Sequence, residues 1–332
     1  MTLASQVSNV AQGQPTDCPT RERKGWTGDA LDSAEEALLN FDMGAVYHNY
    51  VSQMVDDQDP RGEIPIYMPD DGQCKGPGCY DPSHPSADIL NCSDIGWTAA
   101  FPLITESVFN YTGDKRLMLR HYPALRLYIE YLIQQAATRL EHIADCDRWG
   151  DWLPPHTCDV NDLVACPVKP AMAGFSYVRS LESMARISAV VGGNASADSA
   201  RYATLANAAR DGFHRRFFDP SINAYGTNQS WAAFQTLNVP GLVLRSMPDS
   251  LLPVVVAGLE YDLVNRTDYH VGVGAVTSKY LLNVLSDNGL HTSALRVATQ
   301  DTEPSWGFWK SLGATTCWES WGTGSVSSNF VP

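Results

Sequence analysis

The sequence predicts an all-α fold of helical hairpins, and three observations carry that prediction. Helix–loop–helix patterns follow one another along almost the whole chain. Apolar residues recur at helical spacing and seldom alternate. Loops rich in Gly, Pro and Asp separate the periodic stretches.

Residues 29–39 read as a helix with an acidic first turn, and 41–57 (FDMGAVYHNYVSQMVDD) as a second. A long Pro/Gly/Cys/Asp loop covers 60–93, after which Asp94 is placed to cap a helix over 95–110. Pro123 suits the first turn of a helix running to about 140. In that helix Leu125, Tyr128, Ile129, Leu132 and Ala136 form one apolar stripe. A second Cys-containing loop spans 144–169, and a helix over 171–191 is stopped by Gly192-Gly193. Residues 197–216 fit another helix, DPSINAYGTNQS a turn, and 230–237, 249–260, 272–286 and 291–299 further helices. No linker-like break, heptad seam or low-complexity segment interrupts this series, which reads as a single domain over 1–332.

A net charge of −14, with no Lys/Arg block, argues against a nucleic-acid partner. No apolar run approaches the roughly 20 residues needed to span a bilayer, so no membrane partner is expected either. The start, MTLASQVSNVAQGQ, has neither a basic n-region nor an apolar h-region and does not read as a signal peptide. Eight cysteines are nevertheless present (Cys18, Cys74, Cys79, Cys92, Cys146, Cys158, Cys166 and Cys317), mostly in loops. Five N-x-S/T sequons stand at Asn91, Asn110, Asn194, Asn228 and Asn265. Together these features predict a secreted glycoprotein, and the missing signal predicts an internal piece of a longer one.

Two stretches concentrate the chemistry. DCPTRERKGWTGD at 17–29 packs Asp17, Arg21, Glu22, Arg23, Lys24, Trp26 and Asp29 into a segment that Pro19, Gly25 and Gly28 keep irregular, which suits a site loop. A general acid needs a raised pKa, which neighbouring carboxylates such as Asp17 and Asp29 would supply to Glu22. Its alternative is a solvated charged turn. PSWGFWKSLGATTCWESW at 304–321 crowds Trp306, Trp309, Trp318 and Trp321 around Glu319, so that carboxylate is either paired in a core or functional. Asp94-Ile-Gly-Trp97 and Asp147-Arg-Trp149-Gly-Asp151-Trp152 add aromatic–acid pairs, which alone read as capping and core. Carboxylates that accept from hydroxyls, beside aromatic faces that stack on C–H surfaces, are what a carbohydrate cleft requires. His48 reads as a helix-face residue and His270 as ambiguous. The calcium-like start at Asp57-Gln-Asp59-Pro-Arg61-Gly62 fails, with Arg61 in a ligand position and Met68 where the closing Glu belongs. Zinc spacing, a Walker loop, G-x-G-x-x-G and G-x-S-x-G are all missing.

These motifs, in this order, resemble the catalytic (α/α)6 barrel of the bacterial and fungal α-L-rhamnosidases, an inverting glycoside hydrolase family. The matching segments are DCPTRERKGWTGDA at 17–30, NFDM at 40–43, DIGWTAAFPLI at 94–104 and GDWL at 150–153. HVGVGAVTSKYLLNVLSDNG at 270–289 and EPSWGFWKSLGATTCWESW at 303–321 complete the set. The resemblance implies an (α/α)6 toroid, Glu22 as general acid and Glu319 as general base. It implies that Asp17, Arg21 and Asp29 hold rhamnose hydroxyls and that Trp26, Trp97 and Trp152 wall the sugar subsite, with His270 a weaker match. Inversion would require the two catalytic carboxyls to stand roughly 6.5–9.5 Å apart, and the scheme calls for no metal or cofactor. The substrate implied is a rhamnosylated glycoside or polysaccharide.

The chain also departs from the family pattern. It carries neither the β-sandwich domains that precede the barrel nor the small β domain that often follows. About ten helices are legible here, against the twelve of six hairpins. The expectation is therefore a toroid incomplete at both ends. Two alternatives to a competent enzyme stay open: a non-catalytic sugar-binding relative, and another (α/α) barrel glycosidase.

Overall fold

The computed structural model describes residues 1–11, 13–70, 94–156, 158–159, 161–164 and 166–322. Cys74, Cys79, Cys92 and the Asn91 sequon lie outside the described residues. Helices dominate: α1 (Thr2–Ser8), α2 (Thr27–Asn40), α3 (Gly44–Asp56), α4 (Ile95–Thr98), α5 (Ala100–Thr112) and α6 (Arg116–Ala137). There follow α7 (Val168–Val191), α8 (Ser196–Phe217), α9 (Phe234–Leu244), α10 (Leu252–Asn265), α11 (Ala275–Asp287), α12 (His291–Thr299) and α13 (Trp306–Ser311). Strands among the described residues are two residues long and form three antiparallel pairs. These are β1 (Val10–Ala11) with β2 (Gln14–Pro15), β3 (Gly25–Trp26) with β4 (Tyr67–Met68), and β5 (Phe218–Asp219) with β6 (Ala224–Tyr225). No helix among the described residues is long and apolar enough to cross a membrane.

The chain divides into two compact units. The first comprises Gln6–Arg148 and Ser176–Ala209, the second Met1–Ser5, Trp149–Phe175 and Arg210–Pro332. In the first unit α2 packs on α4 and α5, and α3 on α5 and α6. Tyr47, Tyr50, Phe101, Ile104, Tyr128 and Ile129 are fully buried there. All five residues of the stripe Leu125, Tyr128, Ile129, Leu132 and Ala136 are buried, as the helical period requires. Helix α6 starts at Arg116, however, and Pro123 sits inside it. Leu119 and Pro123 both lie on its exposed side, where solvent takes up the carbonyl that proline cannot pair. Arg186 forks onto Glu106, and Arg201 onto Glu130, tying α7 to α5 and α8 to α6.

In the second unit α9 packs on α10 and α11, α11 on α12, and α12 on α13. Phe213, Tyr225, Leu237, Leu259, Leu281 and Leu285 are buried there. Helix α9 starts at Phe234 and runs past 237 to Leu244 with Pro240 inside it. Helix α13 falls in the tryptophan-rich segment, where the sequence reading assigned no helix; Ser305 caps it by accepting from Phe308 N at 3.0 Å. Cys158 and Cys166 form a disulfide within the second cysteine loop.

Candidate active site

Local backbone ties build the 17–29 loop. Asp17 N donates to Lys24 O at 2.9 Å, and Lys24 N donates to Asp17 Oδ1 at 2.8 Å, closing the loop on itself. Cys18 O accepts from the amides of Arg21 and Arg23, with Arg23 in the left-handed region at φ 56°. The loop's exit is pinned by the β3–β4 pairing and by Tyr50, whose hydroxyl donates to Gly25 O at 2.7 Å. Thr27 N and Oγ1 both donate to Ile66 O, each at 2.8 Å. Gly28 is dictated by close approach, because a Cβ there would lie 2.5 Å from the Trp97 ring.

That framework gathers the acidic residues. Asp17 is 5% exposed. Arg21 reaches Glu22 Oε1 at 3.0 Å and Asp17 Oδ2 at 3.9 Å. Asp29 stands exposed in the first turn of α2, where the helix dipole favours a carboxylate. Burial pushes the Asp17 carboxyl up to about 8, helped by a hydrogen bond with Glu22 and by the charges of Glu22 and Asp29, against the Lys24 amide. The raised group is thus Asp17, the buried partner to which Glu22 is hydrogen-bonded. The sequence reading expected Asp17 and Asp29 to act on Glu22; burial makes Asp17 the group that moves.

The fold holds the Asp17 proton more tightly than an unfolded chain, where the carboxyl returns to 3.8, so this group's contribution to stability is lost as pH rises towards about 8. An asparagine side chain in place of Asp17 would still accept from Lys24 N and would donate to Glu22. Asp17→Asn is therefore expected to melt higher relative to the parent at pH 9 than at pH 5, as thermal denaturation at the two pH values would show. An unchanged difference would contradict the assignment.

The aromatics of the first unit play different parts. Trp26 is half-buried and meets Tyr67 edge-on at 5.1 Å, and Lys24 Nζ lies 4.3 Å from the Tyr67 ring centroid. Trp97 is only 5% exposed, so it shapes the floor under α2 and presents little open face. Asp94 caps α4 by accepting from Trp97 N at 3.2 Å, and also takes Arg148 N at 2.9 Å. Burial raises its carboxyl to about 6 against those amides.

The second unit holds Trp152, His270 and Glu319. Trp152 Nε1 donates to Glu319 Oε1 at 3.1 Å, and Trp149 packs edge-on to Trp152 at 5.2 Å. Trp309 and Trp321 are buried and stacked at 4.5 Å, so these two serve the core beneath Glu319, which is itself half-buried. His270 has both ring nitrogens engaged, Nδ1 with Thr267 O at 2.6 Å and Nε2 with Thr302 Oγ1 at 2.8 Å. A carbonyl accepts only, so Nδ1 donates to Thr267 O, and the Thr302 hydroxyl beside Nε2 also donates to Gln300 Oε1 at 3.0 Å. Sequence reasoning assigned no role to Lys24 or Tyr67, and read Asp151 beside Trp152 as capping and core.

A family model, the bacterial alpha-L-rhamnosidase 6 hairpin glycosidase domain, matches residues 1–329. The chain belongs to this family. Its all-α architecture is that of the six-hairpin glycosidases. An alpha-L-rhamnosidase of Alteromonas sp. (strain LOR) is 25% identical over 325 residues, 96% of this chain and 32% of that protein. The solved alpha-L-rhamnosidase of Dictyoglumus thermophilum superposes with a TM-score of 0.82 at 30% identity, covering 97% of this chain and 33% of that one. The Streptomyces avermitilis alpha-L-rhamnosidase, solved with L-rhamnose, gives a TM-score of 0.77 at 25% identity, over 99% of this chain and 29% of that one. The rhamnosidase-family chain described here thus spans about a third of the length of these relatives.

Proposed function

We propose that residues 1–332 act as one catalytic domain that hydrolyses terminal α-L-rhamnose from rhamnosides with inversion. The observation that carries this reading is Glu22 hydrogen-bonded to Asp17, whose buried carboxyl is pushed up to about 8. Glu22 donates a proton to the glycosidic oxygen as the C1–O bond breaks. Water attacks C1 from the opposite face through an oxocarbenium-like transition state, and its proton passes to Glu319. Arg21, Asp17 and Asp29 take the sugar hydroxyls, while Trp26 and Trp152, with the edge of Trp97, wall the ring. His270 joins this set if a sugar hydroxyl displaces Thr302. The chemistry described needs no metal or cofactor, and the partner is a carbohydrate.

The test is release of p-nitrophenol from p-nitrophenyl α-L-rhamnoside by the purified chain, alongside rhamnose binding by calorimetry. Turnover with binding supports the reading. Binding without turnover makes the chain a sugar-binding relative, and neither result with a rhamnoside excludes this substrate class.

Secretion and N-glycosylation belong to the same proposal. Asn110, Asn194, Asn228 and Asn265 are all exposed, and the Cys158–Cys166 disulfide suits an oxidising compartment. Chain made in a eukaryotic secretory host is expected to drop in mass on treatment with an N-glycosidase; an unchanged mass would count against it.

A further inference from the structure

Asp151 is a carboxylate that the proposed reaction does not use, yet it is 1% exposed. A buried carboxylate is costly unless its oxygens are hydrogen-bonded, and this one is fully engaged. Oδ2 accepts from Gly274 N at 2.7 Å and from Thr236 Oγ1 at 2.8 Å, and Oδ1 accepts from Thr277 N at 2.8 Å. The neighbouring Trp152 O accepts from Ala275 N at 2.9 Å.

Two of these donors are amides at the N-terminus of α11, those of Thr277 and of the N-cap Gly274, which offers no side chain of its own. The 150–153 loop therefore caps α11 from 123 to 126 residues away, and Thr236 brings in the first turn of α9. The docking is tight enough to fix a residue type. A Cβ at 274 would fall 1.5 Å from Asp151 O and 2.4 Å from Trp152 O.

The same anchor serves Glu319 twice. Trp152, held by this loop, donates its indole N–H to Glu319 Oε1. Two residues beyond Glu319, Trp321 Nε1 donates to Val273 O at 2.8 Å, beside the amides that Asp151 binds. Residues 273–277 thus fix the backbone near Glu319 through Trp321 and its carboxylate through Asp151 and Trp152.

We propose that Asp151 is the positioning residue of the general base, holding the 150–153 loop on α9 and α11 so that the Trp152 N–H aims the Glu319 carboxylate. This rests on the reading of Glu319 as the base. A base misaimed by about an ångström loses turnover while the hydroxyl contacts proposed for Asp17, Arg21 and Asp29, which lie outside the 150–153 loop, survive.

The test compares Asp151→Asn, Thr236→Val and Glu319→Ala in the full chain, with folding checked by thermal denaturation. The readouts are kcat and KM on p-nitrophenyl α-L-rhamnoside, with and without azide. Azide attacks C1 directly and has no proton to lose, so it bypasses a defective base and leaves rhamnosyl azide as product. Asp151→Asn is expected to lose about 10- to 100-fold in kcat with KM within about twofold, and to regain rate with azide. Thr236→Val, which removes one donor and touches no substrate group, moves the same way by a smaller factor and keeps the test decisive should Asp151→Asn not fold. Parental kcat in both variants, a loss carried by KM, or a loss that azide does not relieve would overturn the proposal. If Glu319→Ala retains the parental rate, the assignment of the base fails instead; if it is slow and azide-responsive while the other two are parental, only the role of Asp151 fails.

Discussion

Glu319→Gln is expected to hydrolyse an aryl α-L-rhamnoside about 10²–10⁴-fold more slowly than the parent chain, with KM little changed. Glutamine keeps the volume, and its amide oxygen still accepts from Trp152 Nε1, so the tether seen at 3.1 Å has an equivalent in the variant. What it lacks is a lone pair basic enough to take the proton of the attacking water. The missing function lies on the water side of the reaction, so a better leaving group does not restore the rate. Steady-state kinetics on a nitrophenyl and a dinitrophenyl rhamnoside would check this. Recovery on the dinitrophenyl substrate would assign Glu319 to the leaving-group side.

Glu22→Gln is expected to show the opposite dependence. On an alkyl rhamnoside, whose leaving oxygen must be protonated, the loss is about 10²–10⁴-fold. On a dinitrophenyl rhamnoside, whose leaving group departs as the anion, the rate comes close to the parent's. The structure adds a pH signature. In the parent, the Asp17 carboxyl hydrogen-bonded to Glu22 ionises as pH passes about 8, so activity on an alkyl substrate is expected to fall there. A glutamine in place of Glu22 has no proton to give the leaving oxygen, so the high-pH limb disappears. Equal losses on both substrates, or a surviving limb near pH 8, would contradict Glu22 as the proton donor.

Features set by local chain chemistry were legible in the sequence. The stripe from Leu125 to Ala136 is buried because a 3.6-residue period must place those side chains on one face. The 17–29 segment is irregular around Pro19, whereas Gly25 pairs in β3 and Gly28 lies inside α2, against the expectation that both would break regular structure; Asp94 caps the helix that follows it. Boundaries were less legible. Pro123 looked like a helix start, but the burial of Leu117 and Met118 extends α6 back to Arg116 and outweighs the lost hydrogen bond. Helix α13 was hidden because its tryptophans read as site residues, whereas Trp309 packs on Trp321 in the core. The roles of Glu22 and Glu319 came from the resemblance to the family; composition alone left a charged turn and a paired core carboxylate as open alternatives.

Long-range effects were not legible at all. The proton on Asp17 depends on a burial that no local pattern encodes. The engagement of both His270 nitrogens depends on Thr302, far along the chain. The dependence of Trp152 on Asp151, and of Asp151 on Gly274 and Thr277, joins residues more than a hundred positions apart. GDWL and HVGVGAVTS stand more than a hundred positions apart, and nothing local in either shows that Asp151 binds the amides of Gly274 and Thr277.

The central claim is that one acid and one base act on a single rhamnosidic bond with water attacking from the opposite face. The most direct measurement is the anomeric configuration of the first-formed sugar, read by proton NMR within the first minutes of turnover on an α-L-rhamnoside, before mutarotation. The β-anomer appearing first is the predicted result; α-L-rhamnose appearing first would mean that a carboxylate attacks the sugar itself, and would contradict the roles given to Glu22 and Glu319.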